Sequence, residues 1–79
     1  MGQQPRPKPR HLAAKLRVIR QRLGVSQSEM VRLLNAHLTS ARVSEYESGI
    51  REPSLLTILA YSRVAGVTVE KIIDDKLRI

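Results

Sequence analysis

Apolar residues recur at the spacing of a helix face in five successive segments, which glycine and small polar residues separate. The first segment, residues 11–22, carries a stripe with steps of four, three and four residues, and Gly24 ends it. The stripe consists of Leu12, Leu16, Ile19 and Leu23. The whole pattern predicts an all-α fold of five helices.

The second segment starts with a helix-capping pattern. Ser26 is followed three residues later by Glu29, so the serine hydroxyl can accept from the Glu29 N–H while the carboxylate accepts from the Ser26 N–H. A helix is therefore predicted to begin at Gln27 and to end near Asn35, a residue that tolerates the left-handed conformation of a helix stop. Its inward side chains are predicted to be Met30, Leu33 and Leu34.

The third segment is a short helix with one apolar and one polar side. Thr39 is a suitable N-cap and Gly49 a suitable stop, which predicts a helix over residues 40–48. Val43 and Tyr46 fall on one face, and small or polar side chains line the other. Two short capped helices joined by a turn are typical of a helix-turn-helix.

Two more helices complete the predicted order. Ser54, after Pro53, is the predicted cap of the fourth helix, which ends at residues 65–66. Its inward side chains are predicted to be Leu55, Ile58, Leu59 and either Tyr61 or Ser62. Thr68 is the predicted cap of a short fifth helix, residues 69–75, with apolar Val69, Ile72 and Ile73.

Sequence runs around the two short helices carry a family resemblance. They are LGVSQSE at residues 23–29, VSEYESG at 43–49 and REPSL at 51–55, with further similarity at 16–20 and 65–69. Over residues 12–74 the chain resembles the phage-repressor (lambda-repressor-like, Cro/XRE) helix-turn-helix family. The resemblance implies a five-helix lambda-repressor-like domain, in which helices 2 and 3 form the helix-turn-helix and helix 3 enters the major groove of DNA.

The resemblance also implies which side chains of the third helix contact bases. They follow the N-cap or lie one turn further on: Ser40, Ala41, Ser44 and Glu45, with Arg42 beside them. Serine reads almost any base edge, an alanine methyl can touch thymine, and glutamate can accept from the cytosine amino group. Phosphates repel a carboxylate in the groove unless a cytosine or an arginine answers it, so Glu45 is predicted to impose specificity more than affinity.

Candidate contacts to the DNA backbone lie on the first two helices and after the third. The resemblance implies that Gln27, at a helix N-terminus that favours phosphate, contacts the backbone, as does Arg51. The remaining predicted backbone contacts are Ser26, Arg17, Lys15 and Arg10, and both Lys15 and Arg17 are expected to stay solvated. The resemblance further pairs Arg20 with Glu47, which would tie helix 1 to helix 3.

The turn of the helix-turn-helix departs from the family pattern. Four residues, 35–38, separate Leu34 from the N-cap Thr39, two more than the usual connection, and Asn35 stands in place of the customary glycine. Val31 also replaces a small alanine where helix 3 crosses helix 2, so the two helices are expected to lie farther apart. The docking geometry on DNA stays open at this point.

Composition limits the chain to one small domain. Its 79 residues include no Phe or Trp and two Tyr, so the core must be aliphatic. Because cysteine is absent, neither a disulfide framework nor a thiolate zinc site is possible. No apolar run approaches the roughly 18 residues of a membrane span. The sequence predicts a cytoplasmic protein with no metal, no cofactor and no membrane partner.

The positive charge is concentrated near the N-terminus. The net charge is +7; residues 1–32 hold eight Lys or Arg against Glu29 alone, whereas residues 33–79 hold six charges of each sign. A polyanion such as nucleic acid is the expected partner, although a solvated basic face would look the same. Residues 3–10 alternate proline with basic residues, which predicts that residues 1–10 form a flexible or extended arm that either follows DNA or adds only nonspecific affinity. Residues 11–75 are the predicted domain and 76–79 a short tail.

Catalysis finds little support in the sequence. His11 and His37 lie in unrelated places, and Asp74 and Asp75 are consecutive rather than paired across one face. The leading hypothesis is a transcriptional regulator of repressor type that binds duplex DNA as a homodimer. Its dimer contact is predicted near helix 5 and residues 77–79, unless these residues only close the core. The alternative is an antitoxin or adaptor whose main partner is another protein, with DNA binding used for autoregulation.

Overall fold

The computed structural model describes residues 9–34 and 37–79, which form five α-helices and no strand. The helices are α1 Leu12–Leu23, α2 Gln27–Leu34, α3 Ser40–Ser48, α4 Leu55–Ala65 and α5 Val69–Ile73. The predicted all-α, five-helix order is therefore confirmed. The predicted helix stop at Asn35 and residues 1–8 of the predicted arm lie outside the described residues.

Side-chain caps start four of the helices where the sequence predicts them. Ser26 and Glu29 exchange both bonds of the capping box, at 2.9 Å and 3.0 Å, so α2 begins at Gln27. Three other caps accept from the backbone N–H three residues further on, at 3.1–3.2 Å. They are Thr39, Ser54 and Thr68. The capping side chains thus determine where these four helices begin.

The core is aliphatic apart from two tyrosines. It joins the inner faces of all five helices, and α3 lies across α1 and α2. Its members are Leu12, Leu16, Ile19, Met30, Leu34, Val43, Tyr46, Ile58, Tyr61 and Ile72. The hydroxyl of Tyr61 is buried and has no hydrogen-bond partner among the described residues. Burial raises the pKa of Tyr61, since the charged phenolate would be poorly solvated there.

Three predictions about the helices are wrong. Leu33 is predicted to face inward but is 45% exposed, because it lies a helical step of about 100° away from Leu34. Leu55 is 78% exposed, since the first residue of α4 stands before the turn that meets the core. The fifth helix ends at Ile73 rather than residue 75, because Asp74 has an extended conformation with ψ 112°.

The two ends of the domain cap each other. Asp75, beyond α5, accepts hydrogen bonds from the backbone N–H groups of Arg10 and His11 at the start of α1, at 2.8 Å and 3.0 Å. Lys15 in α1 donates in return to the carbonyls of Lys71 and Asp74, at 2.8 Å and 2.7 Å. A carboxylate thus lies at a helix N-terminus and an ammonium at a helix C-terminus, as the helix dipoles favour.

Lys15 corrects the sequence prediction. The residue is only 7% exposed rather than solvated, and its Nζ is held between the two carbonyls at the end of α5. Its ammonium therefore bonds within the domain, and the structure does not present Lys15 as a contact to the DNA backbone. Nearby, Ile79 of the tail packs partly buried against the core.

Candidate nucleic-acid interface

The outer edge of α3 is open to solvent over its whole length. Ser40, Ala41 and Ser44 are exposed, whereas Val43 and Tyr46 on the opposite side are 0% and 5% exposed. The helical period explains this division, because the buried pair is three residues apart on one face. A rigid apolar backing therefore presents a small, polar edge that the domain itself does not cover.

A carboxylate with two arginines lies at the later part of that edge. Glu45 Oε1 is 3.2 Å from the Nε of Arg42 and 3.2 Å from the Nε of Arg51. The three side chains are 35%, 42% and 50% exposed, so water screens both ion pairs. The cluster leaves one net positive charge. An arginine was one of the two groups expected to answer Glu45, but the sequence did not indicate which arginine would.

The loop after α3 positions Arg51. Gly49 has a φ of 80° and donates to the Tyr46 carbonyl at 3.3 Å, which ends the helix in the left-handed conformation. The next two backbone N–H groups, of Ile50 and Arg51, then donate to the Glu45 carbonyl at 3.0 Å and 3.3 Å. These bonds fold the loop back toward the outer edge, so Arg51 lies near the end of α3.

A partly buried ion pair connects α1 with α3. Arg20 donates from Nε to Glu47 Oε2 at 2.7 Å and from Nη2 to Oε1 at 2.9 Å, and from Nη1 to the Val25 carbonyl at 3.0 Å. The hydrogen bond to Glu47 raises the pKa of Arg20, although partial burial opposes the shift. The two parallel hydrogen bonds restrain the orientation of α3 relative to α1.

Gln27 joins the same network at the N-terminus of α2. Its Nε2 donates to Glu47 Oε1 at 3.4 Å, beside the bond from Arg20. A shallow polar groove lies between α1, α2 and α3. Its lining residues are Arg17, Arg20, Gln27, Ser44, Glu47 and Ser48. The groove thus brings a predicted base-contacting serine next to predicted backbone contacts.

Two of the remaining predicted contacts to the DNA backbone, Ser26 and Arg10, do not line this groove. The Ser26 hydroxyl accepts from the Glu29 N–H, and the backbone N–H of Ser26 lowers the pKa of Glu29 by stabilising its carboxylate. Arg10 is exposed, and its backbone N–H donates to Asp75, which follows the end of α5. The contacts of Lys15 and Asp75 join residues 56–65 positions apart, so no local sequence signal could have indicated them.

Two features are absent from the part of the chain that the structure describes. It contains no group of three or more His, Asp or Glu side chains that could bind a metal ion. None of its helices combines the length and the apolar composition that crossing a membrane requires.

These features define a helix-turn-helix domain. The chain matches the profile of the helix-turn-helix family over residues 16–72. It belongs to this family, of the Cro/XRE type, and the resemblance to phage repressors is confirmed.

A solved structure has the same fold. The chain is similar to the P22 c2 repressor protein, whose crystal structure was determined in complex with a synthetic operator. The two are 17% identical, with a TM-score of 0.72 over 81% of this chain and 94% of that chain. Among curated proteins, no match was found.

Proposed function

We propose that the protein is a sequence-specific, double-stranded DNA-binding transcriptional regulator of repressor type. The observation that carries the proposal is the outer edge of α3. Ser40, Ala41 and Ser44 are exposed together, and the buried Val43 and Tyr46 hold the helix from behind. An α-helix backed in this way fits the major groove, which is about 12 Å wide.

Base readout is proposed to be limited in strength. Two serines and an alanine offer single hydrogen bonds and a methyl contact, whereas strong discrimination needs two bonds to one base. Arg42 is the side chain that could provide such a pair to guanine, and Glu45 holds it at 3.2 Å in the free protein. We therefore expect DNA backbone contacts and DNA shape to contribute much of the specificity.

Contacts to the DNA backbone are proposed on both sides of α3, which we call the recognition helix. Gln27 and Ser26 lie at the N-terminus of α2, where the partial positive charge of the helix favours a phosphate. Arg17 borders the same groove, and Arg51 follows the end of α3. Arg10, exposed at the start of α1, would reach a phosphate beyond them.

The regulator is further proposed to act as a homodimer in the cytoplasm, associated with the nucleoid when bound to DNA. Two helix-turn-helix domains related by a two-fold axis read two half-sites, which multiplies a modest base discrimination. Its role is binding rather than catalysis. The antitoxin or adaptor hypothesis shares the DNA-binding surface, and a small toxin-like reading frame beside the gene would favour it.

A mobility-shift titration tests the proposal. Random duplex and the upstream region of the protein's own gene are titrated at about 50 mM salt, where phosphate contacts are strongest. We expect binding to both and tighter binding to the upstream region, with affinity falling steeply as salt rises. If neither duplex is bound at this salt, the proposal is wrong. A Ser44→Glu variant, which adds a negative charge to the exposed edge, should bind much more weakly at an unchanged melting temperature.

A further inference from the structure

An open groove runs between α1 and the segment that follows α5. It lies between residues 11–22 and residues 75–79, and we call it the tail groove. Its volume is about 420 Å³, which falls within the range of roughly 300–1,000 Å³ that small-molecule sites occupy. None of the side chains proposed to contact DNA lines the tail groove, so the proposed function leaves it without a role.

Hydrogen bonds hold the wall of the tail groove that lies opposite α1. Asp74 accepts from the backbone N–H of Lys76 at 2.9 Å through Oδ1, and from that of Leu77 at 3.0 Å through its carbonyl. Ile79 then packs partly buried against the core. The hydrogen bonds between the two ends of the domain join this wall to α1. The groove is therefore preformed, and a ligand would lose little free energy to ordering it.

Two guanidinium groups at the tail groove have no partner. Arg22 and Arg78 are exposed, and neither side chain makes a hydrogen bond or an ion pair within the described residues. The groove has one carboxylate, that of Asp75, and both of its oxygens already accept from backbone N–H groups. The Lys15 ammonium is likewise bonded to two carbonyls. An anion would therefore meet two free arginines, and arginine binds a carboxylate through two parallel hydrogen bonds.

Apolar side chains line another part of the tail groove. Ala14 and Val18 lie one turn apart on α1, and Leu77, which is 37% exposed, lines the same groove. Covering apolar surface removes it from water, which favours a ligand with an aliphatic part over a bare inorganic anion. The tail groove thus suits a molecule that has one negative end and an aliphatic body.

We propose that the tail groove binds a small aliphatic carboxylate. Its charged end would lie at Arg22 and Arg78, and its chain would cover Val18 and Leu77. A second copy of the protein is a poorer occupant, because it also has a net charge of +7 and would be repelled by the two free guanidinium groups. The proposal does not depend on the proposed DNA-binding function.

The tail groove and the proposed DNA-binding surface lie on different sides of α1. Successive helix residues point about 100° apart, so Val18 points away from Arg17, which borders the polar groove beside α3. The carboxylate and a DNA duplex can therefore be bound at the same time. Because the ligand would contact both α1 and the segment after α5, its binding should raise the melting temperature of the domain.

Titration of the isotope-labelled full chain with octanoate, followed by two-dimensional NMR, tests the proposal. We expect saturable shift changes at residues 14–22 and 75–79, with a dissociation constant below about 1 mM, and no such changes in α3. Hexanoate should bind more weakly, by up to about fourfold for each methylene removed. Acetate keeps the charge but has almost no chain, so it should not bind measurably.

A pair of double variants separates the tail groove from the charge of the whole protein. Arg22→Gln/Arg78→Gln removes both free guanidinium groups and should weaken octanoate binding by about tenfold or more. The matched control is Arg32→Gln/Arg63→Gln, which removes two exposed arginines from α2 and α4 and reaches the same net charge. We expect the control to bind octanoate as wild type does. Circular dichroism spectra without ligand check that both variants are folded.

Three results would overturn the proposal. One is a wild-type chain that shows no saturable shift change with octanoate. Another is the same octanoate affinity in both double variants, which would assign binding to the net charge or to another site. The third is a change of the same NMR signals with protein concentration in the absence of ligand, since a second copy would then be the occupant of the tail groove.

Discussion

Arg20 of α1 holds Glu47 of α3 through two parallel hydrogen bonds of 2.7 Å and 2.9 Å, and the Glu47 side chain is only 5% exposed. The recognition helix is therefore fastened to the domain at its C-terminal end by a charged, geometrically specific contact. Gln27 adds a third bond to the same carboxylate at 3.4 Å. The network thus joins α3 to Gln27, a side chain proposed to contact phosphate, so the same hydrogen bonds hold both in place.

Replacing Arg20 by alanine is expected to destabilise the domain. The change leaves the Glu47 carboxylate buried without its partner, which costs about 3 kcal/mol for a pair of this burial. Chemical denaturation of Arg20→Ala and wild type measures the difference. Arg20→Lys is the matched variant, because it keeps the charge but loses the fork, and it should fall between the two. A stability of Arg20→Ala equal to that of wild type would show that the ion pair is incidental.

Replacing Lys15 by methionine distinguishes its bonds to the end of α5 from its predicted contact to the DNA backbone. The ammonium binds two carbonyls at the end of α5, so its loss should leave them less well satisfied and lower the free energy of unfolding by about 1–3 kcal/mol. The salt dependence of DNA binding should not change, since the charge does not face the proposed interface. Denaturation and a salt titration are both needed. A shallower salt dependence at unchanged stability would restore Lys15 as a backbone contact.

The carboxylate of Asp75 makes the contact between the chain ends sensitive to acid. Backbone N–H groups of Arg10 and His11 bind the charged form, which lowers the pKa of Asp75 below its ordinary value of 3.8. A group whose pKa is lowered by folding contributes stability above its unfolded pKa, and the contribution disappears as the pH falls through the folded pKa. Wild type should therefore exceed Asp75→Asn in stability at pH 7, with the difference shrinking below about pH 4.

Urea unfolding of both proteins at pH 7 and pH 3 measures this difference. Glu70→Gln is a suitable control, since it removes one negative charge from α5 at a side chain that accepts no hydrogen bond from the described residues. A gap between wild type and Asp75→Asn that is the same at both pH values would contradict the assignment.

Removing the charge of Arg51 should weaken binding to every duplex alike. A side chain that contacts phosphate carries no sequence information, and its loss reduces the slope of log affinity against log salt by about 0.9. Arg51→Ala is compared with Arg63→Ala, which removes one exposed positive charge from α4. Titrations at several salt concentrations on two unrelated duplexes give both slopes. A larger loss on one duplex than on the other would indicate base contact instead.

Glu45→Gln should change which DNA sequence is preferred. Both ion pairs of Glu45 are partly exposed, so the melting temperature should stay within about 2 °C of wild type. Freed from the carboxylate, Arg42 and Arg51 should also raise affinity for random duplex. Selection of bound sequences from a random pool measures the preference of each protein. An unchanged preferred sequence would remove Glu45 from the base-reading set.

The sequence was sufficient to predict those features that depend on residues close together in the chain. Ser26 and Glu29, or Thr39 and its bonded N–H, are three residues apart, so caps and helix starts follow from spacing. Lys15 could not be placed in the same way, because its carbonyl partners lie more than fifty residues away. A lysine next to the apolar stripe of α1 is expected to be solvated unless the position of the end of α5 is known.

Apolar residues at helix edges were the other source of error. Leu33 and Leu55 match the helical period, but neither meets the core, because the direction of a face is set by the neighbouring helix rather than by its own spacing. For the site, the exposed side of α3 was predictable from Val43 and Tyr46. The partners of Glu45 were not, since they depend on how the loop after Gly49 folds back.

The contact between Asp75 and the backbone before α1 has a consequence for engineering. Because both ends of the described domain leave from one corner, a short peptide could join them into a ring without crossing the recognition helix. New chain ends could then be opened elsewhere on the surface, for example in the loop that precedes α5. The same geometry means that a fluorescent label attached at residue 10 or at residue 75 would report from one location.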